Sequence, residues 1–544
     1  MTVESLITQH IDTWTSAVKT KSTSGRGSRK KLDLYGIKKL RELILELAVR
    51  GKLVPQNPND EPASVLLERI AKEKTQLVKD KKISKQKKLP KITEDEKLEK
   101  LPEGWQLCRF GELYNLEYGD NLPKTKRSES GEYPVYGSNG IVGSHSKFSV
   151  NKGCVVVGRK GSAGALNKSI TSCWVTDVAY SITPPTGITL DYCFLHLSTF
   201  GLDTLGKGIK PGLNRNDANI LIACIPPTEE QHRIVAKVDE LMTLCDQLEQ
   251  QTEANIEAHQ LLVSTLLNTL TNSANADELM ENWTRISDHF DTLFTTEESI
   301  DQLKQTILQL AVMGKLVPQD PNDEPASVLL ERIAEEKAQL LKDGILKNLK
   351  KAMVHEATLS GENKPNGWEA IDFGDITFNL DAKRIPLSVS ERKGRQGEYD
   401  YYGASGVIDT INDYLFDKSL LLIGEDGANL VNRSTPIAFI ARGKYWVNNH
   451  AHVIDGINED FLIYLSLYIN SISLIPYITG MAQPKMNQAK MNSILVLLPP
   501  ENEQRRIIAK VDELMILCEH LKVRLKKSQT TQLHLTDAIV EQAI

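Results

Sequence analysis

The chain of 544 residues has no apolar run of the ~18 residues that a membrane-spanning helix needs. Its first residues, MTVESLITQHIDTW, lack the charged and apolar regions of a secretory signal, so we expect a cytoplasmic protein. Its seven cysteines have no CxxC or other zinc-binding spacing, and free thiols are the simplest interpretation. The net charge of -6 gives no support to nucleic-acid binding, which would therefore require a local basic face.

Catalytic motifs are also absent. The Asn/Asp-Pro-Pro-Tyr/Phe motif of amino-methyltransferases is missing, because the Pro-Pro pairs occur in TPPT, IPPT and LPPE. The segment GLDTLGK is followed by Gly208 in place of Ser or Thr, so it is not a phosphate-binding loop. His450 and His452 have no Cys or carboxylate partner at metal-binding spacing. We predict a non-catalytic chain that binds no cofactor and no metal itself.

Long segments of this chain occur twice. LAVRGKLVPQNPNDEPASVLLERIAKEK begins at Leu47, and LAVMGKLVPQDPNDEPASVLLERIAEEK begins at Leu310. IPPTEEQHRIVAKVDELMTLCDQ is similar to LPPENEQRRIIAKVDELMILCEH, and ITQHIDTW is similar to ISDHFDTL. The chain therefore contains two tandem copies of one unit, cyclically offset. The first pair of segments differs only at Arg50/Met313, Asn57/Asp320 and Lys72/Glu335.

The repeated segments have the apolar periodicity of helices. Thr228 and Gln231 fit a capping box, and a helix of about 40 residues, spanning about 60 Å, is predicted after them. Gly51 and Gly314 lie at helix C-cap positions, and Pro62 begins a further short helix. We expect these helices to pack as an antiparallel spacer. Their apolar residues are Ile234, Val238, Leu241, Cys245 and Leu248, resuming around 261–270, with Ile37, Leu40, Leu43, Ile44 and Leu47, and Ile300, Leu303, Ile307 and Leu310.

Two inserts of another kind separate the helical segments. Both are rich in Gly, Tyr, Val and Ile, contain strand-like runs such as CVVVG and LLLIG, and begin with LPEGWQ or KPNGWE. YPVYGSNGIVG aligns with YDYYGASGVID, VGRKGSAG with IGEDGANL, WVTDVAY with WVNNHAH, and KPGLN with QPKMN. The glycines and aromatics agree, whereas the neighbouring polar residues differ. We predict a helical frame and linker at 1–100, inserts at 101–228 and 364–501, a central helical spacer at 229–363 and a C-terminal helix at 502–544 that pairs with the central helix.

This arrangement resembles the specificity subunit of type I restriction–modification systems over nearly the whole chain. The resemblance rests on the doubled LAVxGKLVPQ-PNDEPA block, the doubled PPxxEQxxI helix start and the GW of each insert. It implies an α+β fold, with two mixed α/β target recognition domains separated by long antiparallel coiled-coil helices in a pseudo-two-fold cyclic arrangement. It also implies that each recognition domain reads one half of a bipartite, asymmetric site in double-stranded DNA.

The partners of this chain also follow from the resemblance. It implies that the helical frame docks two modification subunits, which are adenine-N6 methyltransferases that bind S-adenosylmethionine. Up to two restriction subunits, which are motor-nucleases using ATP and Mg, can join. Two alternatives remain: a self-contained methyltransferase or nuclease, against which the missing motifs argue, and a repeat scaffold that binds only protein.

The two glycine loops are the best candidates for base reading. Arg159-Lys160 in the first insert occupies the place of Glu425-Asp426 in the second, and loops of opposite charge suit different bases. The alternative is that both loops are solvent-exposed turns. Further polar candidates are Ser138, Asn139, Ser162, Asp177 and Asn214 in the first insert, and Ser405, Asn429, Asn448, Asn449, Gln483 and Asn487 in the second.

Basic residues near these loops suit phosphate contacts, which position DNA without specifying its sequence. The alternative for each is a solvated surface charge. The run from Lys19 to Lys31 is predicted to be a flexible loop or a nonspecific DNA arm, and the run from Lys79 to Lys91 a linker. The phosphate candidates are Lys124, Lys126, Arg127, Lys207, Lys210 and Arg215, together with Lys383, Arg384, Arg392, Lys393, Arg395, Lys485 and Lys490.

Overall fold

The computed structural model describes residues 3–21, 31–81, 83, 88–96, 101–206, 212–274, 276–346, 364–480 and 483–544. The chain divides into two units, one formed by Met1–Asn255 with Ser528–Ile544 and the other by Ile256–Lys527. Each unit combines helices with small sheets and has its own apolar core, which confirms the predicted α+β class. Within the described ranges, no helix is long and apolar enough to cross a membrane.

The N-terminal helical part shows why the doubled segment adopts its fold. Gly51 has a φ of +66°, and the backbone N–H of Lys52 donates to the carbonyl of Leu47 at 3.0 Å, which is the predicted glycine C-cap. A helix follows Pro62 as predicted, but Pro62 is its N-cap and not its first residue, and the helix has 17 residues and is not short. The elements are α1 (Val3–Gln9), α2 (Ile11–Ser16), β1 (Lys19–Lys21), β2 (Lys31–Asp33), α3 (Tyr35–Val49) and α4 (Ala63–Lys79).

The two basic runs are only partly covered by the structure. β1 and β2, at the ends of the first run, pair antiparallel with Lys19 opposite Asp33. Residues 22–30 between them lie outside the described residues, so the predicted loop or DNA arm stays a prediction. In the second run, α4 ends at Lys79, and residues 82 and 84–87 also lie outside the described part.

The described strands of the first insert form three small sheets. Their strand orders are β4-β10-β7-β8, β6-β5-β9 and β11-β3, and the last pair joins the start of the insert to its end. CVVVG forms the buried strand β7, as predicted. The elements are β3 (Gln106–Arg109), α5 (Phe110–Leu113), β4 (Glu117–Tyr118), β5 (Tyr133–Gly137), β6 (Gly140–His145), β7 (Cys154–Gly158), β8 (Leu166–Ser169), β9 (Trp174–Val175), β10 (Ala179–Ile182), α6 (Leu190–Ser198), α7 (Arg215–Asn219) and β11 (Ile222–Ile225), with 3-10 turns at Glu94–Glu96, Lys124–Lys126 and Leu202–Leu205.

The long helix that follows begins differently from the prediction. The backbone N–H of Gln231 donates to the carbonyl of Pro227 at 3.0 Å, and its side chain donates to the carbonyl of Pro226 at 3.1 Å. Thr228 instead donates its hydroxyl to Gly187, so the predicted capping box is wrong and Pro227 caps the helix. The elements are α8 (Thr228–Asn272), α9 (Ala276–Asp288), α10 (Phe290–Leu293), α11 (Glu297–Val312) and α12 (Ala326–Lys342).

The predicted apolar stripe of α8 is buried in its first half and only partly buried later. Val263, Leu267 and Leu270 are buried, whereas Leu261 is 70% exposed and Leu262 is 49% exposed. The apolar residues predicted for α3 and α11 are all buried, and α11 is followed by Gly314 at a φ of +67°.

The second insert repeats this order with local changes. Its sheets are β13-β20-β17-β18, β15-β14-β19-β16 and β12-β21, and LLLIG forms the buried strand β17. The elements are β12 (Glu369–Asp372), α13 (Phe373–Ile376), β13 (Phe378–Asn379), α14 (Val389–Lys393), β14 (Tyr399–Gly403), β15 (Gly406–Ile411), β16 (Phe416–Asp417), β17 (Leu420–Gly424), α15 (Asn429–Asn432), β18 (Ala438–Ala441), β19 (Lys444–Val447), β20 (Ala451–Asp455), α16 (Glu459–Ser471), α17 (Gln488–Asn492), β21 (Leu495–Leu498) and α18 (Glu501–Ala543), with 3-10 turns at Asp381–Lys383 and Ile475–Tyr477.

Candidate nucleic-acid interface

The tryptophan of the GW motif in each insert forms a hydrogen bond with the helix that follows the insert. The indole Nε1 of Trp105 donates to the carboxylate of Glu230 at 3.0 Å, and Trp368 donates to Glu503 at 2.9 Å. Burial raises the pKa of Glu230 despite hydrogen bonds from Gln56 and Trp105. Two motifs that are far apart in the sequence therefore form one buried contact in each unit.

The doubled segment makes matched contacts to the same helices and inserts. Arg233 pairs with Asp60 at 2.7 Å, and Arg506 pairs with Asp323 at 2.6 Å. Lys74 donates to the carbonyls of Gly111 at 2.8 Å and Tyr114 at 3.0 Å. Lys337 contacts the carbonyls of Gly374 and Asp375 in the same way. These contacts explain why the helical frame is conserved between the two copies: it holds each insert at its base.

The strand pairing identifies equivalent positions in the two inserts. Gly158 in β7 lies opposite Ala179 in β10, and Gly424 in β17 lies opposite Ala451 in β20. The next residue after each glycine, Arg159 or Glu425, therefore occupies the same place, as the alignment predicted. A third segment joins each loop, because Lys160 bridges Gly212 and Asp426 bridges Lys485. The two glycine loops are thus brought together with the KPGLN and QPKMN segments.

In the first insert the loop surrounds an exposed aromatic ring. Tyr118 on β4 is 52% exposed, and the guanidinium carbon of Arg159 lies 4.7 Å from its ring centroid. The guanidinium carbon of Arg215 lies 5.1 Å from the same centroid. Arg159 also donates to the carbonyl of Asp177 at 2.9 Å, and Tyr180 packs 5.1 Å from Tyr118. The site is an aromatic ring flanked by two cations.

The same place in the second insert holds a network of paired charges. Glu425 accepts from Arg384 at 2.9 Å and pairs with Lys485 at 3.2 Å. Asp381 lies 2.7 Å from Nδ1 of His452, whose Nε2 lies 2.9 Å from the carbonyl of Met486. Since a carbonyl oxygen only accepts, Nε2 carries a proton.

These carboxylates are held in their charged form. Burial raises the pKa of Asp381, but the hydrogen bond and charge of His452, with Arg384, bring it below its usual value. Burial likewise raises the pKa of Glu425, and Arg384, His452 and Lys485 together lower it. Arg384 is 13% exposed and also donates to the carbonyl of Ala451, so its hydrogen bonds are used inside the protein.

Asn214 and Asn487, which the alignment matched, are both helix N-caps. The side chain of Asn214 accepts from the backbone of Asn216 at 2.9 Å, and that of Asn487 accepts from Lys490 at 3.0 Å. The KPGLN and QPKMN segments therefore share a backbone role that explains their similarity. Lys207 and Lys210 lie outside the described residues.

Several other candidates have internal partners. Asn448 is 5% exposed and accepts from the backbone of His450, and the side chain of Asn429 bonds Thr435. Other basic candidates are held in the same way. Arg127 donates to Leu122, Arg392 pairs with Asp409, and Arg395 pairs with Asp413 and lies over Trp446.

The remaining candidates are either partly buried or exposed. Ser138, Ser162 and Asp177 are partly buried. The carbonyl oxygen of Ser138 lies so close to Gly158 that a Cβ on Gly158 would be 2.4 Å from that oxygen. The exposed candidates are Lys124, Lys126, Asn139, Lys160 and Asn214 in the first insert, and Lys383, Lys393, Ser405, Asn449, Gln483, Lys485 and Asn487 in the second.

Two residues of the site were not found from the sequence. Tyr118 is the last residue of the two-residue strand β4, and Asp381 begins a 3-10 turn shortly after the two-residue strand β13, so no periodic pattern marks either residue. Each contacts a residue far away in the sequence, Arg159 for Tyr118 and His452 for Asp381. All seven cysteines are free, and no described group of His, Cys, Asp and Glu is arranged to hold a metal ion.

Comparison with known proteins finds one family model that matches two segments of the chain. A family model described as the type I restriction modification DNA specificity domain matches residues 102–258 and 365–528. The type I restriction enzyme EcoEI specificity subunit of Escherichia coli is 39% identical, and the EcoAI specificity subunit of the same species is 40% identical. Both alignments cover 100% of this chain and 100% of the relative.

A solved structure is similar at a lower level. It is described as the structural basis underlying complex assembly and conformational transition of the type I R-M system. The match has a TM-score of 0.46 and 14% identity, and it covers 82% of this chain and 99% of that chain. The family assignment rests on the full-length sequence matches and on the doubled specificity domain. By these matches, the chain belongs to the specificity subunits of type I restriction–modification enzymes, which are non-catalytic.

Proposed function

We propose that each insert is a target recognition domain that reads one half of a bipartite, asymmetric site in double-stranded DNA. The recognition domains are taken as 101–228 and 364–501. The observation that carries this proposal is that one structural position holds an arginine in the first insert and a glutamate in the second. Arg159 and Glu425 follow equivalent strands, yet one lies beside Tyr118 and Arg215 and the other beside Arg384 and Lys485. Different surfaces on the same backbone suit different half-sites.

The long helices are proposed to set the spacing between the half-sites. α8 has 45 residues and α18 has 43, so each is about 65 Å long. Each begins in one unit and ends in the other. Readers on rigid helices keep a fixed distance, whereas a Gly/Ser linker would let it fluctuate.

The repeated frame is proposed to dock the partner subunits. Matched contacts, such as Arg233 with Asp60 and Arg506 with Asp323, give two similar faces that suit two copies of one partner. These partners are two adenine-N6 methyltransferase subunits, which bind S-adenosylmethionine. Up to two motor-nuclease subunits, which bind ATP and Mg, complete the restriction enzyme. The chain itself binds none of these cofactors.

Modification mapping tests the proposal directly. The chain is expressed with its modification subunit in a host that lacks other adenine methylation, and methylated adenines are mapped over the genome. One split motif, methylated on both strands and with unlike halves, is the expected result. A continuous or palindromic motif would contradict two different readers on one spacer.

Two controls separate the remaining alternatives. The purified chain is incubated with S-adenosylmethionine and DNA in the absence of partners; methyl transfer there would favour a self-contained methyltransferase. DNA binding by the assembled complex is then measured on the mapped site and on an unrelated duplex. Equal affinity for the two would favour a scaffold that contributes no sequence recognition.

A further inference from the structure

The first recognition domain carries an unusual group of unpaired cations. Arg159 and Arg215 both approach the ring of Tyr118, and Lys160 follows Arg159 on the exposed loop. Within the described part of the chain, none of these three cations forms an ion pair with a carboxylate. Arg159 is fixed in place by the carbonyl of Asp177 and by stacking on Tyr118. The site is therefore built, yet its positive charge is not neutralised.

Two guanidinium groups on one ring repel each other, and a bound anion removes that cost. Tyr118 is 52% exposed, so an anion can approach without displacing the core. Stacking on the aromatic ring restricts both guanidinium groups before any ligand binds, which reduces the entropy lost on binding. A guanidinium presents a fork of N–H donors that matches the oxygens of a phosphate.

Among the described residues of the second domain, no such site lies at the equivalent position. There, Glu425 neutralises Arg384 and Lys485, and Asp381 pairs with His452. The carboxylates that balance these charges belong to the protein. A phosphate at this position would therefore compete with existing ion pairs.

We propose that Tyr118, Arg159 and Arg215 form a clamp for one or two phosphodiester groups of the DNA backbone, and that the second domain has no counterpart at the same position. This inference rests on the proposed function. It assigns Arg159 to backbone contact in place of the base reading expected from the sequence. The two recognition domains then contribute unequally to the salt-dependent part of DNA binding.

The test is the salt dependence of DNA binding by the complex of the full chain with its modification subunits. The dissociation constant is measured for the mapped target duplex and for an unrelated duplex over a range of salt concentrations. For Arg215→Gln and for Arg159→Gln, we expect the slope of log K against log salt to become less steep by about 0.9, the value for one lost phosphate contact. Both duplexes should lose affinity by the same factor.

Matched variants control for charge and folding. Lys168→Gln removes a cation of the first domain that already pairs with Asp191 at 2.7 Å, and its slope should stay unchanged. Lys485→Gln tests the second domain, where Glu425 pairs with that lysine; a slope change as large as that of Arg215→Gln would contradict the absence of a counterpart there. Arg215→Lys keeps the charge and should retain the slope. Thermal melting of every variant shows whether the complex stays folded, and the two glutamine variants provide independent tests.

The remaining outcomes are distinct. A changed base preference in one half-site with an unchanged slope would overturn the clamp and favour base reading by Arg159. Unchanged slope and unchanged affinity in both glutamine variants would show that the site does not contact DNA. Failure of the unmodified complex to prefer its target over the unrelated duplex would contradict the proposed function itself.

Discussion

The indole of Trp105 donates to the buried carboxylate of Glu230 at 3.0 Å, and this contact joins the base of the first recognition domain to the first turn of α8. The second copy repeats it between Trp368 and Glu503. Because one partner comes from the insert and the other from the frame, this contact is the point at which a variable domain is fixed to a constant support.

Removing either carboxylate should destabilise its own unit. Glu230→Ala leaves the indole N–H of Trp105 buried without an acceptor, which costs about 2 kcal/mol. For a unit of this size, we expect a fall in melting temperature of roughly 4–8 °C. Glu503→Ala should have a similar effect. The control is Glu229→Ala, since Glu229 is exposed on the same turn; an equal fall in that variant would argue against the indole contact.

A comparison of two glycines separates backbone strain from steric overlap. Gly314 and Gly344 have φ values of +67° and +71°, so alanine is strained by about 1–2 kcal/mol at either position. A Cβ at Gly314 would lie 2.6 Å from the ring of Pro365, whereas a Cβ at Gly344 would have no neighbour within 4 Å among the residues that the structure describes. Gly314→Ala should therefore lower the melting temperature clearly more than Gly344→Ala. Equal shifts would mean that the contact with Pro365 relaxes at no cost.

Lys74 should make stability depend on alkaline pH. Burial lowers its pKa from 10.5 to about 8, because the ammonium group loses solvent beneath Gly111 and Tyr114. Between about pH 8 and pH 10.5, the folded lysine is neutral while the unfolded one is charged, so unfolding takes up a proton. The free energy of unfolding should thus rise with pH in this window, by an amount of the order of 2 kcal/mol.

Comparison of two lysine variants isolates this effect. Lys74→Met should lose the pH-dependent gain, whereas Lys72→Met, at an exposed position of the same helix, should keep it. Denaturant unfolding at pH 7.5 and at pH 10 gives the change in the free energy of unfolding between the two pH values. This change is compared between each variant and the unmodified chain. The same pH dependence in both variants would mean that another group is responsible.

Substituting an arginine in the charge network of the second domain should cost more stability than substituting an arginine in the cation site of the first domain. Arg384→Met removes a buried cation that contacts both Glu425 and Asp381, which keep Lys485 and His452 as partners, and breaking such a buried network costs about 3 kcal/mol. Arg159→Met removes a stacking contact and one hydrogen bond to a carbonyl, and it should cost about 1 kcal/mol. Thermal melting of the two variants checks this order. A larger loss for Arg159→Met would contradict the assignment of the network as structural.

The frame could be predicted well from the sequence because its signals are local. Glycine at Gly51 and Gly314 marks the helix ends, and the apolar stripes of α3 and α11 mark the buried faces. The N-cap of α8 was placed at Thr228 instead of Pro227, because a proline carbonyl can accept the first helical hydrogen bond as well as a threonine carbonyl can. That error is small and also local.

The candidate site was harder to predict because its contacts cross the sheet. The alignment placed Arg159 and Glu425 at one position, and the strand register supports this. It could not identify Tyr118, which lies on β4 beside β10, or Asp381, which lies on a 3-10 turn and contacts His452. Nor could it distinguish exposed candidates such as Asn139 from buried ones such as Asn448, because burial depends on tertiary packing and not on the local sequence.

The pairing of β3 with β11, and of β12 with β21, brings the two ends of each insert side by side, with Gln106 opposite Ile225 and Glu369 opposite Leu498. An insert whose two ends pair in this way can be exchanged as one unit. Its interior can change length and chemistry without moving the points where it enters and leaves the support. New specificities can then arise by exchanging whole inserts. The supporting helices keep their sequence, so the surface that they offer to partner subunits does not change.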